Sequence, residues 1–135
     1  MLNIKIKYLF LFVLLASILM ACGVPAPTGS DPVIIAQGFW EAIHAKNVDA
    51  AMAFVADDVV TDGLPAHFTN KSDFSAFMVS VMKDGKTFEV TDLKLVSEDI
   101  ATYNILVDLK GNTEAFSGLG KVQVKDGKIV YIEFP

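Results

Sequence analysis

The side chains able to do chemistry in this sequence are few. There is one cysteine, Cys22, and there are two histidines, His44 and His67, far apart along the chain. A lone thiol cannot close an intrachain disulfide or build a thiolate metal cluster. Two distant imidazoles do not make the close ligand spacing of catalytic zinc. No metal and no other cofactor is therefore expected. Arginine is absent from all 135 residues, which removes bidentate gripping of phosphate or carboxylate. What remains is carboxylate chemistry. Asp62 is the best acid/base candidate, because desolvation at a pocket mouth can raise a carboxyl pKa to a useful value. The plainer reading is a solvated turn aspartate ahead of Gly63. His67, in the same loop, could donate to a ligand or shuttle a proton, or be an exposed loop imidazole. His44 follows Ile43 in a helical pattern and reads as helix surface. Asp57-Asp58 has no further carboxylate at helical or strand spacing, so it reads as the end of an element rather than a metal pair.

These groups need a scaffold, and the pattern from residue 31 onward supplies one. Asp31 or Ser30 can cap a helix whose first position suits Pro32. Ala36, Phe39, Trp40 and Ile43 give that helix one apolar face. Lys46-Asn47 ends it. Asn47 then starts a short second helix, with Ala51, Met52 and Val55 inward. Residues 57–60 read as a helix end leading into a short strand, and residues 62–70 as a loop. A third helix spans residues 72–82, with Phe74, Phe77, Met78 and Val81 at i, i+3, i+4 and i+7. Asp84-Gly85 stops it. Beyond residue 86 the period changes from 3.6 to 2. Strand-like runs cover residues 87–96, 100–109, 113–125 and 128–134, and Asp126-Gly127 is a strong hairpin signal. In the first run the apolar phase slips between Phe88/Val90 and Leu93/Leu95, which predicts a bulge near Thr91-Asp92. Helices ahead of an antiparallel meander argue for an α+β fold, a cone-shaped curved antiparallel sheet wrapped round three N-terminal helices.

A cone that does not fill its own centre offers an apolar pocket. Phe39, Trp40 and Tyr103 are the expected liners, and Trp40 and Tyr103 each carry a polar handle. Asn104 and Gln123 would add polar contacts if their strand faces point inward; pointing outward is equally compatible with the alternation. Phe54, Phe74, Phe77, Phe116 and Tyr131 are expected mostly in the core, which a domain this small needs.

The first residues follow another logic. Lys5 and Lys7 form a short positive region, residues 8–18 are apolar apart from Ser17, and Leu19-Met20-Ala21-Cys22 follows. This resembles the signal peptide and lipobox of bacterial lipoproteins. The resemblance implies that residues 1–21 are removed and that Cys22 becomes the N-terminus, with diacylglycerol on its sulfur. The alternative is an uncleaved membrane helix, for which the apolar stretch is short of the roughly 20 residues needed to span. Residues 22–30, rich in Gly and Pro, read as a flexible tether. The expected location is extracytoplasmic, lipid-anchored to the bacterial cell membrane, inner or outer left open. Apart from the leader, the chain holds 9 lysines against 16 acids, a net charge of about −7. A nucleic-acid partner is not expected, because it would require a basic face.

The domain itself, residues 31–135, has its own resemblance. Phe39-Trp40-Glu41-Ala42-Ile43, Asn47-Val48-Asp49-Ala50-Ala51, Phe54-Val55-Ala56-Asp57-Asp58-Val59 and the closing Asp126-Gly127-Lys128-Ile129 resemble nuclear transport factor 2-like (SnoaL-like) domains. The resemblance implies a cystatin-like roll. It leaves function open among isomerases, cyclases, dehydratases, transport factors and binding domains. The ketosteroid isomerases of this kind use a helix-one tyrosine, an aspartate base after the Asp-Asp pair and an acid on a late strand. An ungapped count puts Phe39, Gly63 and residues 117–120 at those places, with Asp62 one residue short of the base.

The leading expectation is thus a tethered domain that binds a small, largely apolar ligand or a protein partner without catalysis. The second is an isomerase, cyclase or dehydratase that uses Asp62 with His67. The third is a structural lipoprotein that forms a homodimer through the outer face of its sheet.

Overall fold

A computed structural model describes residues 31–63, 67–108 and 116–135. The expected signal peptide, the lipidation site at Cys22 and the tether over residues 22–30 lie outside the described residues.

Helix α1 (Pro32–His44) begins as its sequence signals demand: Asp31 Oδ1 accepts from the Val33 amide at 2.9 Å, and Pro32 takes the first turn. It buries Ile35, Ala36, Phe39, Trp40 and Ile43. Lys46, at φ 58°, turns the chain, and Asn47 caps the short α2 (Val48–Met52) by accepting from the Ala50 amide at 3.0 Å. Strand β1 (Val55–Asp62) follows. It starts earlier than the sequence pattern suggests, and Asp57-Asp58 lie within it, not at a helix end. The pair occupies an irregular stretch where the register against the last strand shifts between Val55 and Val60. Asp57 there meets Lys71 Nζ at 2.6 Å. Helix α3 (Lys71–Lys83) is capped by Asn70, which accepts from the Asp73 amide and donates to the Asp73 carboxylate. Phe74, Met78 and Val81 are its buried face.

Strands β2 (Thr87–Ser97), β3 (Ile100–Asp108), β4 (Phe116–Lys125) and β5 (Lys128–Glu133) then form the meander. The sheet order is β1-β5-β4-β3-β2, antiparallel except for the parallel pair β1/β5. Asp126 and Gly127 both have positive φ, as a two-residue hairpin requires. The phase slip in β2 appears as a register shift between Thr91 and Lys94, with Asp92 at φ 52°. The curved, unclosed sheet wraps its concave face round the helices, an α+β cone. Ile105, Val107, Val122, Val124, Ile129 and Ile132 meet the buried faces of α1 and α3 there. Tyr103 is fully buried among them, packed on Trp40 with ring centroids 5.1 Å apart. It faces Gly120 directly across the ladder, where the missing side chain leaves room for its ring.

Candidate functional site

The alternation of each strand decides which side chains can meet. In β1, Val59 and Thr61 are buried against the core, so Asp62 points to the convex, outer side of the sheet. Thr61 also pins the returning loop: its N–H donates to the Phe68 carbonyl at 2.9 Å, and its Oγ1 accepts from the Phe68 amide at 3.2 Å. That bridge sets His67 beside Asp62, with Nδ1 and Oδ1 2.6 Å apart. Tyr131 donates to the other Asp62 oxygen at 3.0 Å and approaches Glu133 at 3.4 Å. Lys121 pairs with Glu133 at 2.7 Å and lies over the Tyr131 ring. The hydrogen bond from His67, then that from Tyr131, holds the Asp62 carboxyl below the usual carboxylate range. Burial, then the bond to Asp62, pushes the Tyr131 phenol up to about 12.

The structure thus brings Asp62 and His67 together, on the opposite side of the sheet from the cone interior. Their side chains are 46% and 58% exposed. A general base needs its pKa raised toward neutrality, and the Asp62 shift runs the other way. Tyr131, expected in the core, belongs to this convex network instead.

The expected pocket liners divide. Phe39 is fully buried, stacked with Phe74 and edge-on to Trp40. Tyr103 is equally buried, and its hydroxyl donates to the Glu133 carbonyl at 3.0 Å. Asn104 points outward: it is exposed on the convex side and donates to Asp92 at 2.9 Å. The inward polar contact considered for it from sequence is not made. Gln123 likewise donates to the Asp99 carboxylate at 2.7 Å, across the end of β2 and β3.

Of Phe39, Trp40, Tyr103 and Asn104, Trp40 is the one that lines a recess. A groove of about 540 Å³ runs between α1 and β2. Its helix wall is Val33, Gln37, Trp40, Glu41 and His44, and its strand wall is residues 88–93. The apolar part is Trp40 with Val33, Phe88, Val90 and Leu93; Trp40 and Phe88 have centroids 6.3 Å apart. Trp40 is only 6% exposed, and its indole Nε1 finds no hydrogen-bond partner among the described residues. A buried donor left in that state costs about 1–3 kcal/mol. A carbonyl or ether oxygen that reached it would recover that energy. Groove and convex network are separate: neither Asp62 nor His67 borders the groove.

The wall residues Val33, Gln37, Phe88, Val90 and Leu93 are not among the site residues expected from sequence. The signal for them was present. Val33, Gln37, Trp40 and His44 recur at three- and four-residue spacing beside the core stripe of α1, and the predicted bend in β2 marks the strand that curls over that helix.

A curled sheet, a helix laid inside it and a groove at the helix's open flank make a recognisable architecture. The SnoaL-like domain model matches residues 36–132. The chain belongs to the SnoaL-like domain family. Its SnoaL-like domain is similar in fold to an uncharacterised cystatin-fold protein of Novosphingobium aromaticivorans, with TM-score 0.69 and 16% identity over 79% of this chain and 99% of that one. A proposed polyketide cyclase of Sinorhizobium meliloti gives TM-score 0.66 and 18% identity, covering 74% of this chain and 92% of that one. A computationally designed 17-OHP binder gives TM-score 0.66 and 21% identity, covering 76% and 87%. No curated protein matches the chain. Likeness at these identities concerns the fold of the SnoaL-like domain, and its chemistry must be argued from its own side chains.

Proposed function

We propose that this chain is a lipid-anchored extracytoplasmic lipoprotein whose SnoaL-like domain binds a largely apolar ligand in the α1–β2 groove and carries out no chemistry of its own. The observation that carries the binding reading is Trp40: a buried aromatic on the groove wall with an unpartnered N–H. Apolar side chains with a few polar groups around them, here Gln37, Glu41 and His44, are the usual make-up of a small-molecule site. A designed relative of the same fold is a 17-OHP binder, so the fold tolerates a binding role. Absence of catalysis is supported by Phe39 standing where a tyrosine hydroxyl would be needed, and by inward positions Val59 and Thr61 flanking the outward Asp62. The tether rests on the lipobox-like residues 19–22.

Native mass spectrometry of the full chain, purified from its host and then mixed with a neutral steroid as probe, tests the binding reading. A one-to-one adduct is expected, lost in Gln37→Trp, which fills the groove from an exposed helix position. An equal adduct in Gln37→Trp places binding elsewhere and overturns the groove. The anchor is tested by mass spectrometry of the N-terminal peptide: diacylglycerol on Cys22 with residues 1–21 removed is expected, and an unmodified Cys22 rejects lipidation. The catalytic reading is favoured by one observation, the 2.6 Å contact of Asp62 with His67; both side chains are half exposed on the convex face, away from the groove, so we assign the pair to holding the loop. Homodimerisation through the convex face is a further reading, favoured by the exposed Leu106 and Leu119 there. A doubled mass in the same spectra would support it.

A further inference from the structure

Residues 88–93 of β2, six in a row, border the groove. Neighbouring residues on a strand point to opposite faces. A recess lined by all six therefore follows the strand's edge, not one of its faces. β2 is the outermost strand, and among the described residues its ladder is made only to β3. Alternate residues of such a strand turn their N–H and C=O groups away from the sheet and leave a template for another strand.

The groove does not stop at His44. A second recess of about 390 Å³ shares His44, Phe88 and Glu89 with it and runs on past Ile43 and Met82 to Lys46 and Lys86. The two form one channel, with α1 on one side and the free edge of β2 on the other. Its charges are polarised. Glu41 and Asp92 border the first recess, Glu89 lies where the two recesses meet, and Lys46 and Lys86 border the far end. Asp92 accepts from Asn104 and Glu41 from Gln37, each through one carboxylate oxygen. β2 starts at the lysine end and runs toward the acidic end. A strand laid antiparallel to it has its carboxyl end at the lysines and its amino end at the acids. The bulge between Thr91 and Lys94 interrupts the straight edge, which limits pairing to about five residues, or about 17 Å.

We infer that this channel binds an extended segment of a partner protein, added antiparallel to residues 87–91 of β2. One apolar side chain of the segment packs on Trp40, a basic group lies toward Glu41 and Glu89, and an acidic group lies toward Lys46 and Lys86. Main-chain pairing supplies the affinity and the two charged ends set the direction. This rests on the groove being the binding site proposed above, and it names the occupant.

The probe is a short alternating valine–threonine peptide, acetylated and amidated, with lysine at its amino end and glutamate at its carboxyl end. It is added to the full chain in detergent. Binding is read by the emission of Trp40, the only tryptophan, and by amide hydrogen exchange. Exchange should slow at alternate residues of 87–91, and N-methylation of the peptide's pairing amides should weaken binding by about tenfold or more. The same residues in reverse order should bind more weakly. Equal binding of the N-methylated or reversed peptide overturns the inference. So does slow exchange in the free chain at those residues of 87–91 whose amides face away from β3, which would mean that a second copy already sits on the edge. If the peptide fails while the steroid adduct forms, the peptide inference falls and the groove stands. If neither binds, both fall.

Discussion

Tyr103 links the packing of the cone to its response to pH, and Tyr103→Phe separates the two. The hydroxyl donates to the Glu133 carbonyl at 3.0 Å, and the side chain is fully buried. Removing one such bond at neutral pH should cost about 1 kcal/mol net, or about 4–8 °C in Tm for a domain of this size. Alkaline pH reverses the comparison. Burial, and secondarily the charge of Glu133, raises the Tyr103 pKa far above its ordinary value. In the unfolded chain the phenol ionises above its ordinary value of about 10. Above that pH the unfolded state has lost a proton that the folded state keeps. Stability then falls by about 1.4 kcal/mol per pH unit from this group. Phenylalanine has nothing to titrate, while Tyr131 and the lysines contribute equally to both proteins and cancel. The wild type should therefore be more stable by about 1 kcal/mol at pH 7, equal near pH 10.7, and less stable above it. Urea titrations at several pH values, followed by Trp40 emission, measure the difference. Curves that stay parallel through pH 11 would refute the reasoning, because the hydroxyl would then be free to ionise in the folded chain.

Gly120→Ala should destabilise by about 1–3 kcal/mol in the same urea assay. A Cβ there comes within 2.6 Å of Tyr103 Oη and nearer still to two ring carbons, and Trp40 keeps the ring from retreating. Phe39→Ala should cost about 3–5 kcal/mol by opening a cavity between Trp40 and Phe74; a loss under 1 kcal/mol would mean the cone centre collapses freely. On the convex face, the Asp62 carboxyl should titrate below the ordinary range, and His67→Ala should raise its midpoint, read by carboxyl carbon NMR. The folded pKa of Asp62 is depressed, so its stabilisation is present above the ordinary carboxylate pKa and lost as pH falls through the folded value. His67→Ala should accordingly show a shallower loss of stability in acid.

Much of the fold was legible because it rests on period and punctuation. The face of α1, the α3 pattern, the strand breaks at Ser97-Glu98-Asp99 and Asp126-Gly127, and the bulge near Thr91-Asp92 all depend on local signals, and each appears within a residue or two. What was not legible depends on which side of the sheet a residue takes. The side of Asn104 and Gln123 could not be read, since polar residues suit either an outer face or a pocket. Their partners, Asp92 and Asp99, are brought to them only when β2 pairs with β3 and β3 with β4. The start of β1 was missed because Asp57-Asp58 resembles a helix end locally. The strand is imposed from outside, by pairing with β5 and by the Lys71 ion pair.

The site was only half legible for a related reason. A single-residue change of register moves a side chain from one face of a sheet to the other. Asp62 and His67 were correctly paired by proximity in sequence, yet proximity says nothing about which face the pair takes. That was decided by Thr61, the one buried polar residue among those described, which turns inward and bonds Phe68. With Thr61 inward, Asp62 must face out, and the carboxylate gains His67 and Tyr131 as partners while losing access to the cone. Among the described residues the cone interior is then aromatic and aliphatic, with Trp40 Nε1 the buried side-chain donor without a partner. The α1–β2 groove sets apolar Trp40, Val33, Phe88, Val90 and Leu93 beside the polar Gln37, Glu41 and His44, and shape, apolar area and a few polar contacts are the requirements of recognition. The same inward turn of Thr61 that builds the convex network therefore keeps the Asp62–His67 pair out of the groove.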